Sequence, residues 1–228
     1  MTMASRPIFL PIPTNSSPIR EVPIEFTWHA GLAVTQKQKS IASLHEAAAK
    51  RFGLSRILEV STKSLEEIGK KLSAFNLKVK LSDGSFTSVE SAYQASKVFS
   101  NGGPYWDLLH ADSRVAKTDE RLRNGGSLLR FEFEGTQWPL EPQTAFYDWL
   151  YISGLCLDKD LSQKVLNYDG FTDIEFNPER SLNCQARSVA LFCSLTRAGS
   201  IEESISTPAR FIEAHRKKPP SSDQGSLF

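Results

Sequence analysis

Two hydrophobic periodicities stand back to back near the start of the chain, and together they commit it to a fold that mixes sheet and helix. Ile24, Phe26 and Trp28 alternate, which puts them on one side of a strand over about Val22 to Trp28. Ile41, Leu44 and Ala48 recur at helix spacing over Gln36 to Arg51, with Thr35 as N-cap and Gly53 closing the segment. The same switching continues downstream. Ile57 to Val60 and Leu72 to Lys80 read as strands, with a short helix or turn at Ser64 to Lys71 between them. Ser82-Asp83-Gly84-Ser85 then turns the chain into a helix capped by Thr87 or Ser88 and running to about Phe99. Asn101-Gly102-Gly103-Pro104 ends that helix, and Gly125-Gly126 precedes a strand at Leu128 to Phe133.

Helical segments are expected at Tyr105 to Leu109, Arg114 to Leu122, Pro142 to Leu157, Leu161 to Leu166 and Asn183 to Thr196, with an irregular stretch from Tyr168 to about Leu182. The sum is a helix-rich α+β domain with a small β-sheet. Residues 1–20, which hold Pro7, Pro11, Pro13 and Pro18, read as an extended, unpacked arm. Residues 21–56 read as an N-terminal extension packed on the core, 57–212 as the catalytic domain and 213–228 as a disordered tail.

Composition excludes several classes. With 40% hydrophobic and 23% charged residues the chain is globular, and no apolar run approaches a membrane span, which points to the cytoplasm. Cys156, Cys184 and Cys193 lack metal-ligand spacing and read as reduced thiols. No metal or other cofactor is expected. A net charge of +1 argues against a protein that coats DNA, though not against an enzyme that grips one modified nucleotide. The histidines His29, His45 and His110 have no carboxylate or cysteine at a telling distance and read as structural or exposed.

At ~100° per residue, Glu90, Tyr93, Gln94 and Lys97 share one helix face, and Ala92, Ala95, Ser96 and Phe99 share the other. A solvated stripe stitched by i,i+4 pairs, each stabilising by ~0.2–0.5 kcal/mol, is the plain explanation. A pocket wall is the other, and spacing alone leaves both open.

Ser88-Val-Glu-Ser-Ala-Tyr-Gln-Ala-Ser-Lys97 closely resembles the T-V-E-H-x-Y-Q-A-x-K signature of the NADAR family, which is associated with NAD and ADP-ribose metabolism. Gly69-Lys-Lys-Leu-Ser-Ala-Phe75 resembles its glycine-then-L-S-N-F segment, and Ser113-Arg-Val-Ala-Lys117 with Arg121 its T-P-x-E-A-K-x-L-G-R stretch. Asp173-Ile-Glu-Phe176 is similar to the late D-x-x-W, and Leu182-Asn183 with Val189-Ala-Leu191 to the closing helix. Ala74 stands where the family usually has Asn, Phe176 where it has Trp, and Arg187 where a small residue is common; Asn76 is a nearby source of the missing amide. The segment from Phe26 to Ala47 resembles the subgroup encoded beside DarT-type toxins, which ADP-ribosylate guanine in DNA.

The resemblance implies a NADAR-like fold and an N-glycosidase that removes ADP-ribose from guanine, acting as antitoxin. Glu90 would be the general acid and base, more effective if burial raises its pKa. Lys97 would hold charge or, as a neutral amine, attack the ring-opened imine. Asp173 would be a second carboxylate that orients water or ribose hydroxyls. Phe75, Tyr93 and Phe176 would wall the pocket or stack on a base; Asn76, Gln94 and Asn183 would bind ribose or phosphate edges; Trp149 would pack the core beside them. Lys37, Lys39, Lys70, Lys71 and Arg114 are candidates for DNA phosphates. The implied partners are ADP-ribosylated DNA, ADP-ribose as product and a cognate toxin, and the target base would be single-stranded or flipped. A glycosidase for damaged nucleotide or riboflavin-pathway metabolites, or a non-catalytic ADP-ribose-binding module, remain alternatives.

Overall fold

The computed structural model describes residues 2–12 and 18–216 of the 228-residue chain. In chain order it comprises β1 (Thr2–Pro11), β2 (Ile19–Trp28), α1 (Val34–Phe52), β3 (Ile57–Glu59), α2 (Glu67–Lys71), β4 (Lys78–Lys80), β5 (Phe86–Ser88), α3 (Val89–Ala95) and β6 (Lys97–Phe99). A 3₁₀ turn (Trp106–His110) leads to α4 (Ser113–Thr118), α5 (Arg121–Asn124), β7 (Leu128–Phe133), β8 (Thr136–Trp138), α6 (Ala145–Leu157), α7 (Lys159–Val165), β9 (Gly170–Thr172), α8 (Gln185–Arg197), α9 (Ile201–Ile205) and α10 (Pro208–Arg216). The class is α+β, with three small sheets where one was expected: β2-β1-β9-β3, the hairpin β4-β5, and β6-β7-β8.

The first sheet divides the interior in two. Successive strand residues point to opposite faces, and Ile8 and Phe9 of β1 are both fully buried. Ile8 joins Val22, Ile24, Phe26, Ile41, Leu44 and Ala48 in a core beneath α1. Phe9 joins the larger core of α3, α6 and α8, with its ring centroid 6.2 Å from that of Phe176. The expected unpacked arm is therefore a central strand as far as Pro11, while residues 13–17 lie outside those described. Proline does not prevent the pairing because Pro7 faces Pro23, so in mid-strand neither partner has an N–H to offer, and Pro11 lies at the very end of β1.

The α1 stripe and its left-handed Gly53 cap are as the sequence indicates, but the helix begins two residues early. Ala33 caps it by its carbonyl, which accepts from the N–H groups of Gln36 and Lys37, so Thr35 is not the cap. Over Leu72 to Leu77 no strand forms. Ser73 N–H bonds back to Lys70 and Leu77 N–H to Ser73, so the chain keeps turning until β4.

Further corrections follow from local hydrogen bonds. The helix expected to run to Phe99 stops at Ala95, whose carbonyl accepts from Tyr105 N–H, and Lys97 to Phe99 pair with β7 instead. The helix over Arg114 to Leu122 breaks at Asp119, which is extended and whose carboxylate accepts from Arg121 N–H. The stretch after Tyr168 contains β9. Residues 213–216 belong to α10, while 217–228 lie outside the described residues. All three cysteines are free, and two of them are buried. Among the described residues no helix is long and apolar enough to cross a membrane. Where the family pattern favours a small residue, Arg187 lies 2.5 Å from buried Asp148 in an ion pair that links α8 to α6.

Candidate functional site

The parallel pair β3 and β9 ends at a pocket of about 880 Å³, within the roughly 300–1,000 Å³ typical of ligand sites. The loops following both strands line it, as do α3, the start of β6, α4 and the approach to α8. Ser88 fixes the first turn of α3: its hydroxyl accepts from Ser91 N–H at 2.9 Å and from the Ser113 hydroxyl at 2.7 Å, and it donates to Ser91 Oγ at 2.8 Å. The face formed by Ala92 and Ala95 is fully buried against the core, which turns Glu90, Tyr93 and Gln94 into the pocket.

Glu90 is only 6% exposed. Its Oε1 accepts from Gln94 Nε2 at 2.9 Å, and Lys117 Nζ stands 3.9 Å away. Tyr93 accepts from Asn183 Nδ2 at 2.7 Å, and burial raises its pKa, so it remains a neutral phenol. Lys97 reaches the same pocket from β6 rather than from a helix turn. Its Nζ lies 4.9 Å from the Tyr93 ring centroid. Burial lowers its pKa, Glu90 opposes that shift and Lys117 reinforces it.

Asp173 is buried at the end of β9. Burial raises its pKa against hydrogen bonds from Glu175 N–H and Gln185. Gln185 also accepts from Ala74 N–H at 2.8 Å. The amide beside Ala74 therefore comes from α8, not from Asn76, which is exposed and donates to Lys70 O at 2.8 Å. Phe75 and Phe176 line the pocket. Trp149 does not; it packs in the core against Trp138, with ring centroids 5.0 Å apart.

Of the lysines and the arginine assigned to DNA phosphates, Arg114 lines the pocket and is exposed. Lys37 is paired with Glu175 at 3.2 Å and covers the Trp28 ring, while Lys70 is paired with Glu67. Lys39 and Lys71 are exposed and away from the pocket lining.

Sequence reasoning missed several participants. Lys63, Lys117 and Arg180 join Lys97 and Arg114, giving five cationic side chains against the three carboxylates Glu90, Asp173 and Glu175. That balance favours an anionic ligand. Lys117 sits inside a quoted motif and was within reach; Gln185 carried no signal. Glu59 did carry one, since an acid inside the apolar run Ile57-Leu58-Glu59-Val60 must be buried when the strand is. No cluster of three or more potential metal ligands occurs among the described residues. Compared with known families, residues 4–224 match the model described as DarT1-associated NADAR antitoxin. Among curated proteins, none matches the chain.

Proposed function

The chain belongs to the DarT1-associated NADAR antitoxins, and from that premise we propose that it is an N-glycosidase releasing ADP-ribose from guanine in DNA, the lesion a DarT-type toxin leaves. The observation that carries the reading is the placement of a buried carboxylate, Glu90, and a half-buried lysine of lowered pKa, Lys97, in one cation-rich pocket. A carboxylate and an unprotonated amine are what cleavage of a glycosylamine requires.

The sequence of steps balances without an external reagent. Glu90 protonates the ribose ring oxygen while the guanine nitrogen lone pair forms a C=N bond to the anomeric carbon, and the C–O ring bond breaks. The neutral Lys97 amine then adds to that carbon. The guanine amine leaves with a proton, and a lysine imine remains. Water adds to the imine, Lys97 departs, and the freed aldehyde closes on its hydroxyl as ADP-ribose. Burial favours the neutral amine, and the contact with the Tyr93 ring positions the nitrogen in the pocket. Lys63, Lys117, Arg114 and Arg180 are the groups suited to the diphosphate. Phe75 and Phe176 offer faces for the bases.

The test is incubation with a single-stranded oligonucleotide carrying one guanine adduct, followed by chromatography of both products. Wild type is expected to return unmodified oligonucleotide and ADP-ribose; Glu90→Gln is expected to slow this at least 10²-fold, the lower range for loss of a general acid. A folded Glu90→Gln protein with full activity overturns the assignment. An untouched adduct beside turnover of a damaged metabolite transfers the activity to the other substrate class.

A further inference from the structure

Behind the pocket an unbroken chain of hydrogen bonds leads away from it. Ser61 lines the pocket and donates to Glu59 Oε1 at 2.7 Å. Glu59 Oε2 accepts from Thr172 Oγ1 at 2.7 Å, and Thr172 Oγ1 lies 2.8 Å from His45 Nε2. Ser61, Glu59 and Thr172 are all at most 2% exposed, whereas His45, on α1, is partly exposed. The chain therefore opens on the pocket at Ser61, runs through buried groups and reaches the surface of the N-terminal segment at His45. Resting on the function proposed above, we propose that Ser61, Glu59, Thr172 and His45 form a proton path that carries the proton of the attacking water from the pocket to solvent while substrate fills the mouth.

A purely structural network explains the middle of this chain poorly. Glu59 accepts three hydrogen bonds, the third from Ile174 N–H at 2.9 Å, yet has no cationic partner among the described ion pairs. The charged group that acts on it is Asp173, another buried carboxylate, and burial and Asp173 both raise its pKa. Two buried acids that act on each other do not both ionise readily, so the charge of one favours the protonated form of the other. Asp173 in turn is opposed by Glu175, whose charge Lys37 of α1 meets at 3.2 Å. Burial also lowers the pKa of His45, so its ring is neutral and can accept at one nitrogen while donating at the other.

Every link can reverse. A pocket water gives a proton to Ser61 Oγ as the Ser61 hydroxyl proton passes to Glu59 Oε1. The Glu59 Oε2 proton passes to Thr172 Oγ1, the Thr172 proton to His45 Nε2, and His45 Nδ1 releases one to solvent. Each residue gives one proton and gains one. Glu90, which gave its proton to the ring oxygen, regains one from solvent when product leaves the mouth, so the proton sent through the path is balanced and the net reaction remains hydrolysis. His45 thus gives the N-terminal segment a direct part in the reaction, although its spacing in the sequence pointed to no partner.

The test uses the full-length protein and does not begin with activity. Ring-nitrogen NMR of His45 across pH should show a second inflection reporting on the buried acid. That inflection should be present in wild type and Thr172→Ser and absent in Glu59→Gln and Thr172→Val. In single-turnover cleavage, Thr172→Val should slow release about tenfold and flatten the pH profile, and Thr172→Ser should stay within about threefold of wild type. His45→Ala should slow it similarly and recover with added imidazole. A folded Thr172→Val protein with the wild-type rate and profile, or a His45 ring indifferent to Glu59, overturns the proton path. Failure of the glycosidase reading shows itself differently, as a wild type that releases nothing.

Discussion

Ser88→Ala removes one hydroxyl that joins β5 and α4 to the turn of α3 bearing Glu90. The hydroxyl caps α3 through Ser91 N–H, and losing such a cap costs about 1 kcal/mol. It also makes two hydroxyl–hydroxyl bonds, to Ser91 and from Ser113, each worth about 0.5–1.5 kcal/mol net. Their loss falls at the low end of that range, because Ser91 Oγ still donates to Ala111 O at 3.2 Å and Ser113 Oγ to Phe75 O at 3.0 Å. The sum is about 2 kcal/mol, or a fall in Tm of roughly 4–8 °C for a chain of this size. Denaturant unfolding of wild type, Ser88→Ala, Ser113→Ala and the double variant measures it. The two single losses should together exceed the double loss by about 0.5 kcal/mol, since they share one bond. A Ser88→Ala protein within 0.5 kcal/mol of wild type, or strictly additive variants, refutes the idea that this hydroxyl anchors the catalytic turn.

Two other outcomes follow from the same geometry. The pKa of Glu59 is raised in the fold, so between the unfolded carboxylate value, about 4.3, and its raised folded value the native state binds more protons than the unfolded state. Its contribution to stability therefore declines as pH rises through that window. Glu59→Gln should lose less Tm than wild type between pH 5 and pH 8, and parallel curves contradict the buried acid. A Cβ at Gly103 would sit 2.2 Å from the Lys97 carbonyl oxygen, whereas one at Gly84, also at positive φ, meets nothing within 4 Å. Gly103→Ala should displace β6 and lower cleavage at least tenfold, while Gly84→Ala should cost only about 1 kcal/mol of stability and leave cleavage unchanged.

How far the fold was legible depended on whether its determinants were local. The α1 stripe, the strand ending at Trp28 and β7 all follow from apolar period alone. The central place of β1 did not, because proline disfavours a paired strand except where the partner offers no hydrogen bond either, and the partner is Pro23. The end of α3 was misplaced for a similar reason: Tyr105, ten residues beyond Ala95, takes the carbonyl that would have continued the helix.

The candidate site divides along the same line. Glu90, Tyr93 and Gln94 are neighbours on one helix and could be grouped by angle. Lys97 was grouped with them on a helix that does not extend so far, and it reaches the pocket because β6 turns back over Tyr93. Gln185, Lys63 and Arg180 enter from loops whose approach no periodicity encodes, and His45 meets Glu59 only through Thr172, far along the chain from both.

The central claim is that Lys97 attacks the sugar carbon in this pocket, and borohydride reduction during turnover of a guanine-ADP-ribosylated oligonucleotide tests it most directly. The account predicts a protein mass increase for one reduced ADP-ribose adduct, mapped by peptide mass spectrometry to Lys97 and absent from a folded Lys97→Met variant. Continued release of ADP-ribose by Lys97→Met, with no trapped adduct in wild type, would contradict it.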